Sequence, residues 1–265
     1  MSRASALFAV IMAFTVSAFG QTGPAEKEAE KILQSYVEDF RRDPAAAEPI
    51  TFGVRVRREG GGEWHVVVSG RKSSAGDWEV ALRSGLPPEP VVLYWLDLAT
   101  LRKIDRGELN AMTAMAQARS SDPTPMGIEF MPGIQPDEAF FSRFIPFTFH
   151  FWTRGFPEIV PFGSTHTRHV HGADGVVFYY QKGLRSGWYQ LTKGQHANKE
   201  PRDQTNVFPF LVVATRGSCM AKIGGKEFVL TAGQTLFVPP GVSHEWWNPN
   251  EEPFELVIVM FGEGA

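Results

Sequence analysis

A single cysteine, Cys219, occurs among 265 residues, so no disulfide can form within the chain and folding has to rest on packed cores. A lone thiol of this kind reads as a small buried apolar residue. No charge of one sign dominates either: 26 Lys and Arg stand against 29 Asp and Glu, a formal net charge of −3, with the signs interspersed. That excludes the basic face of a nucleic-acid binder and the polybasic run that attracts acidic lipid, leaving small molecules as default partners. Long apolar runs are also missing. The longest lies within residues 1–20 and is followed directly by Gln21, Thr22 and Gly23, so it falls short of the roughly 20 apolar residues that span a bilayer. It follows a lone Arg3 and ends in small residues at Ala18 and Gly20, the plan of a cleavable secretory leader. Export is expected, with cleavage before Phe19 or Gln21 and no membrane span in the mature protein.

At about 100 to 200 residues per domain, the length allows one large or two small domains, and the patterning favours two. Ile32, Leu33, Tyr36, Val37 and Phe40 recur at spacings of three and four between Pro24 and Arg42, which predicts an amphipathic helix. Residues 50–58 then alternate apolar and charged, Glu59-Gly-Gly-Gly-Glu63 reads as a turn, and Trp64-His-Val-Val-Val68 as the return strand. Residues 78–83 and 91–98 extend the sheet. From Thr100 to Ala118 the spacing is helical again, through Leu101, Ile104, Leu109, Met112 and Met115.

This leading helix, antiparallel sheet and the segment from Leu96 to Met115, with the tryptophan strand at Trp64 and Gly107-Glu108-Leu109 closing a short helix, resembles the sterol carrier protein 2 family. The resemblance covers about 95 residues and carries no catalytic signature. It implies an α+β domain over residues 24–120 with an apolar tunnel between sheet and helices for an acyl chain, a sterol or a similar lipid. A filled core has the same periodicity. Residues 121–164 read as a linker. Its first part, rich in Pro and Gly, is expected to be loop. The aromatic stretch Phe140 to Trp152 is expected to be a helix interrupted at Pro146, packed between domains, with a lipid lid or a membrane-surface contact as the functional alternatives.

From about Thr165 to Ala265 short strands follow one another, separated by turn residues such as Gly224-Gly225, the pattern of a two-sheet β domain. Within it, Gly233, Pro239, Gly241, His244 and Asn248 stand at fixed intervals. Gly233 permits a turn with positive φ, residues 236–238 form a short buried strand, and Pro239, Pro240 and Gly241 impose a corner. Alternation then puts His244 and Trp246 on one face and Glu245 and Trp247 on the other.

The spacing G(x)5PxG(x)2H(x)3N resembles the second motif of the cupin superfamily, which implies an all-β double-sheet jelly-roll barrel over residues 165–265. In that family the histidine usually joins two histidines and a glutamate of a first motif around a metal ion. Aligning Gly217 with the glycine that closes the first motif puts Phe210 at the glutamate, and Asp203 and Thr205, or Gln204 and Asn206, at the histidines. The usual ligands are therefore missing, and His244 with Asp203 supplies too few donors for a site that generally needs three or four. Gly163-Ser-Thr-His-Thr-Arg-His169-Val-His171 imitates the opening of the first motif, but no glutamate follows, and His171 stands 73 residues before His244 where Thr205 stands 39 before it. His169 and His171 are accordingly expected to be polar, solvated or hydrogen-bonded side chains.

Six residues are expected to reach the interior: Gln190, His196, Gln204, Asn206, His244 and Trp246. Either they converge on a small-ligand site or His244 bonds a carbonyl at the mouth of a solid core. The functional expectation is an exported small-molecule or lipid binding protein without a cofactor. The alternative is a cupin enzyme of the dioxygenase, isomerase or lyase type, holding a divalent transition metal through His244, with Asp203 or His196, and water. A homodimer through the barrel, as in many cupins, is the expected assembly.

Overall fold

The computed structural model describes residues 23–58, 61–89, 91–117, 122–154 and 158–265; the leader-like segment, residues 1–20, lies outside them. Helix α1 (Pro24–Phe40) starts on a proline, carries Glu26 in its first turn, and buries Ala29, Ile32, Leu33, Tyr36, Val37 and Phe40, the stripe that the spacing predicts. A 3-10 turn over Pro44–Ala47 follows, capped by Asp43, whose Oδ1 accepts from the Ala45 amide at 2.7 Å. Strands β1 (Ile50–Arg57), β2 (Glu63–Lys72), β3 (Trp78–Ser84), β4 (Val92–Asp97) and β5 (Met126–Phe130) form one sheet in the order β3-β2-β1-β4-β5. The expected antiparallel sheet needs one correction, because β1 and β4 run parallel. Alternation assigns each strand a buried face but not a partner or a direction.

Between β4 and β5 the helical spacing is divided at Gly107-Glu108-Leu109 into two helices, α2 (Leu98–Asp105) and α3 (Ala111–Met115). Gly107 at φ +70° ends the first, and Asn110 caps the second by accepting from Thr113 N at 2.7 Å. Strand β5 falls where prolines suggested loop. Pro123, Pro125 and Pro132 flank Met126–Phe130 without interrupting it, and the strand sits at a sheet edge, where prolines nearby are tolerated. Helix α4 (Glu138–Trp152) continues through Pro146 and begins at Asp137, whose Oδ1 accepts from Phe140 N.

Part of the segment 121–164, expected to be a linker and an aromatic helix packed between domains, packs into the first half. Met126, Phe144, Phe147, Phe151 and Trp152 belong to the same buried cluster as α1 and β1–β4. Phe52 touches Phe147 and Phe151 with ring centroids 5.1 and 4.9 Å apart, and Tyr94 stacks on Phe144 at 5.6 Å. Tyr94 Oη and Thr148 Oγ1 share a 2.6 Å hydrogen bond inside this cluster. The space between sheet and helices, where the sterol-carrier likeness implied a lipid tunnel, is thus occupied by rings. Among the described residues no helix is long and apolar enough to cross a membrane.

The second half contributes β6 (Arg168–Val170), β7 (Ala173–Gln181), β8 (Leu184–Leu191), β9 (His196–Ala197), β10 (Phe210–Arg216), β11 (Ser218–Ile223), β12 (Lys226–Thr231), β13 (Thr235–Val238), β14 (His244–Trp247) and β15 (Phe254–Phe261). They form two antiparallel sheets, β13-β10-β15-β8-β7-β6 and β12-β11-β14-β9. Leu191, Phe210, Val212 and Leu256 from the first share one core with Cys219, Ala221, Leu230 and Trp246 from the second. Strand β13, expected to be buried, is an edge strand in which Val238 is buried and Phe237 is 52% exposed.

The halves are joined at the free edge of β7. Because β6 pairs only as far as Gly175, the outer backbone groups of Val177 would be unpaired; its amide donates to Thr113 Oγ1 at 2.7 Å and its carbonyl accepts from Asn110 Nδ2 at 3.0 Å. Two side chains of α3 therefore cover a sheet edge. Phe149 of α4 meets Tyr179 nearby, with centroids 5.0 Å apart.

Candidate ligand cavity

Strand β14 buries His244 and Trp246 and leaves Glu245 and Trp247 half-buried, as a period of two requires. The loop before β10 is tied to the corner before β14: His244 N donates to Gln204 O and Gly241 N to Asn206 O, each at 2.8 Å. That pairing carries Asn206 to the imidazole, where its Nδ2 lies 3.5 Å from His244 Nε2. His244 Nδ1 lies 3.0 Å from the carbonyl of Val242. A carbonyl can only accept, so Nδ1 holds the proton and Nε2 keeps its lone pair. The ring sits edge-on to Phe210, centroids 4.8 Å apart.

Burial is the main force on this imidazole and pushes its pKa below the ordinary value. The Val242 carbonyl partly opposes that shift, and the neighbouring charge of His171 reinforces it. His244 is therefore a neutral group at neutral pH, whose basic nitrogen, Nε2, faces the Asn206 amide.

Around it lies a cavity of about 650 Å³. One wall is apolar, from Phe210, Trp246, Leu256, Ile258 and Met260 of the two sheets. The other comes from the first half, with Met112 and Met115 of α3 and Ile145 and Thr148 of α4. Polar groups collect at the loops: His171, Asn198, Asp203, Thr205 and Asn206. Nothing local in the sequence of α3 or α4 announces this role, since apolar residues at helical spacing look the same whether they line a cavity or fill a core.

Of the residues expected to reach the interior, Asn206, His244 and Trp246 line the cavity, as does Asp203. Gln190, His196 and Gln204 are not among its lining residues. Gln190 alternates with the lining residues Tyr189 and Leu191, so it faces away, and its Nε2 donates to Glu255 Oε1 at 3.4 Å. His196 lies 3.0 Å from Glu245 Oε2 and against Trp247, on the opposite face of β14 from His244. Gln204 supplies its backbone carbonyl, while its side chain turns to Lys199 O at 3.4 Å.

His169 and His171 part company. His169 is exposed on β6 and pairs with Asp174 Oδ1 at 2.9 Å, whereas His171 leaves the strand alternation at φ +57°. It forms the tip of the β6–β7 hairpin with Gly172, at φ +81°, a two-residue turn with positive φ at both positions. A Cβ on Gly172 would meet His196 O at 2.2 Å, so glycine lets the hairpin lie against β9 and carries His171 to the cavity mouth. The two-residue turn with its glycine was the available signal.

The family's usual metal set does not fit here. Phe210 fills the glutamate place with a buried ring, and His171, Asp203 and His244 do not bring three ligand atoms within 4.8 Å of one another. Among the described residues only Asp43, His150 and Glu158 do so, in the first half.

The family model for the cupin domain matches residues 188–260, from β8 through most of β15, so the second half carries a cupin domain. No curated protein matches the chain. Among solved structures, a cupin 2 conserved barrel domain protein from Salinispora arenicola is 18% identical, with a TM-score of 0.35 over 40% of this chain and 88% of its own. An RmlC-like cupin from Shewanella frigidimarina is 20% identical, with a TM-score of 0.34 over 40% and 91%. A predicted oxalate decarboxylase from Thermotoga maritima is 16% identical, with a TM-score of 0.30 over 34% and 79%.

Proposed function

We propose that the cupin domain, its two sheets closing as a barrel, binds a small organic molecule in the cavity around His244 without needing an ion at the family's usual metal position. The observation that carries this reading is the cavity itself: about 650 Å³, apolar on most of its wall, with the lone pair of His244 Nε2 and the side chain of Asn206 at its polar edge. This is the ordinary design of a small-ligand site. The ligand has an apolar body, facing Trp246, Leu256 and Met260, and a hydrogen-bond donor for Nε2.

Organic-solvent extraction of the purified full-length protein, with mass spectrometry of the extract, tests the reading. One organic species at close to stoichiometric yield, reduced in His244→Ala, is expected; a protein that yields none, and that gains no thermal stability from a broad panel of small organic molecules, refutes it.

The enzyme alternative has one observation in its favour, that His171 and Asp203 share the cavity with His244. A transition metal that follows the protein through purification and is lost on His244→Ala supports it. Export is proposed from residues 1–20 alone. Amino-terminal sequencing of protein recovered from outside the cytoplasm is expected to begin at Phe19 or Gln21. A homodimer is proposed through the cupin half, where Val229, Phe237 and Phe261 are exposed apolar residues; sedimentation as a monomer at every concentration tested rejects it.

A further inference from the structure

Asp43 follows α1, and its side chain is wholly buried. Its Oδ1 is used to cap the 3-10 turn, but its Oδ2 has no hydrogen bond. A buried carboxylate oxygen without a partner is costly. Facing it is His150 in the last turn of α4, with Nδ1 3.4 Å from Asp43 Oδ2, and against the same nitrogen lies Oε1 of Glu158, 13% exposed. None of these three atoms makes an aligned hydrogen bond, and all lie within 4.8 Å of one another. The Phe40 contacts to Phe147 and Phe151, at 5.2 and 5.5 Å, hold the ends of α1 and α4 together here.

One N–H points in one direction, so a proton on Nδ1 serves one carboxylate and leaves the other without a donor. A dication serves both. With bonds of about 2.0 to 2.1 Å, a tetrahedral zinc ion separates its donors by about 3.3 Å; Asp43 Oδ2 and His150 Nδ1 stand 3.4 Å apart, and Glu158 Oε1, which lies closer to that nitrogen, moves outward to admit the ion. Two carboxylates also neutralise a charge of +2 while the imidazole stays neutral. The imidazole selects against calcium and magnesium, which prefer all-oxygen sites, and the lack of thiolate selects against copper(I).

We propose that Asp43, His150 and Glu158 form a binding site for a divalent transition-metal ion of the zinc type, which fastens the end of α1 to the end of α4 and to the segment after it. Three protein donors leave a fourth position for water or for a donor atom of a ligand. The site is separate from the cupin cavity, none of whose lining residues it contains.

Zinc chloride is titrated into full-length protein, purified without a metal-affinity tag and stripped with chelator, by calorimetry. About one equivalent of binding is expected, with calcium chloride giving none. Glu158→Gln, outside any helix or strand, and Asp43→Asn, which keeps the capping oxygen, each weaken binding by at least about tenfold; circular dichroism verifies their folding. His244→Ala leaves the affinity unchanged. Failure of the unaltered protein to bind zinc overturns the proposal, since the triad is then held by a proton. Full affinity in both Glu158→Gln and Asp43→Asn overturns it as well, and loss of the ion on His244→Ala reassigns it to the cupin cavity.

Discussion

Replacing Asn248 by alanine tests what the last residue of the cupin motif does. The side chain is 1% exposed and fully used: Nδ2 donates to Leu191 O and Glu252 O, each at 2.9 Å, and Oδ1 accepts from Asn250 N at 2.8 Å. Leu191 ends β8 and is the register partner of Phe254 at the start of β15. Asn248 therefore pins the bend between β14 and β15 to the end of β8. Alanine removes three hydrogen bonds worth about 1 kcal/mol each, so a loss of about 3 kcal/mol is expected. For a unit of this size that lowers Tm by roughly 6–12 °C. Aspartate keeps the shape but has no N–H, and turns a carboxylate oxygen toward two carbonyls, so Asn248→Asp loses at least as much. Denaturant unfolding of both variants measures the effect. A loss below about 1 kcal/mol in both would show that water or backbone movement replaces the amide, and the clamp argument fails.

Three further outcomes follow from the same geometry. His244 titrates below the ordinary histidine value of 6.5; the unfolded chain takes up this proton first as pH falls, so the group's contribution to stability is complete above 6.5 and is lost as pH falls toward the folded pKa. An imidazole NMR titration of metal-free protein with a midpoint at or above 6.5 contradicts the burial argument. Gly172→Ala places a Cβ 2.2 Å from His196 O at φ +81°, and thermal unfolding is expected to show a loss of about 1 to 3 kcal/mol; unchanged stability means that the hairpin carrying His171 is not confined as described. Burial pushes the Cys219 thiol up to about 12, so native protein at pH 8 is expected to resist iodoacetamide until it is unfolded, and rapid alkylation of the native state contradicts it.

Helix α1, the hairpin strands and the cupin motif are legible because each rests on a local rule. A period of 3.6 marks α1, alternation sets the faces of β14, and glycine's tolerance of positive φ marks the Gly224-Gly225 turn, observed at φ +56° and +81°. Strand β5 was hidden by its proline neighbours, and the parallel pairing of β1 with β4 has no sequence signature. The candidate site was readable in part. His244, Trp246, Asn206 and Asp203 follow from motif register, but Gln190 and His196 were assigned to the interior without the pairing that decides which way each faces. His171 reaches the cavity mouth through a two-residue turn, whose direction local spacing does not give.

The order of residues alone determined the local elements, the absence of disulfides, and the cupin motif with its lone buried imidazole, because these depend on neighbours a few positions apart. Only the tertiary structure decided that α3 and α4 complete the cavity wall, and that Asp43, His150 and Glu158 meet, although they stand up to 115 positions apart. Such meetings depend on how helices and sheets pack against one another. Spacing along the chain does not encode that distance.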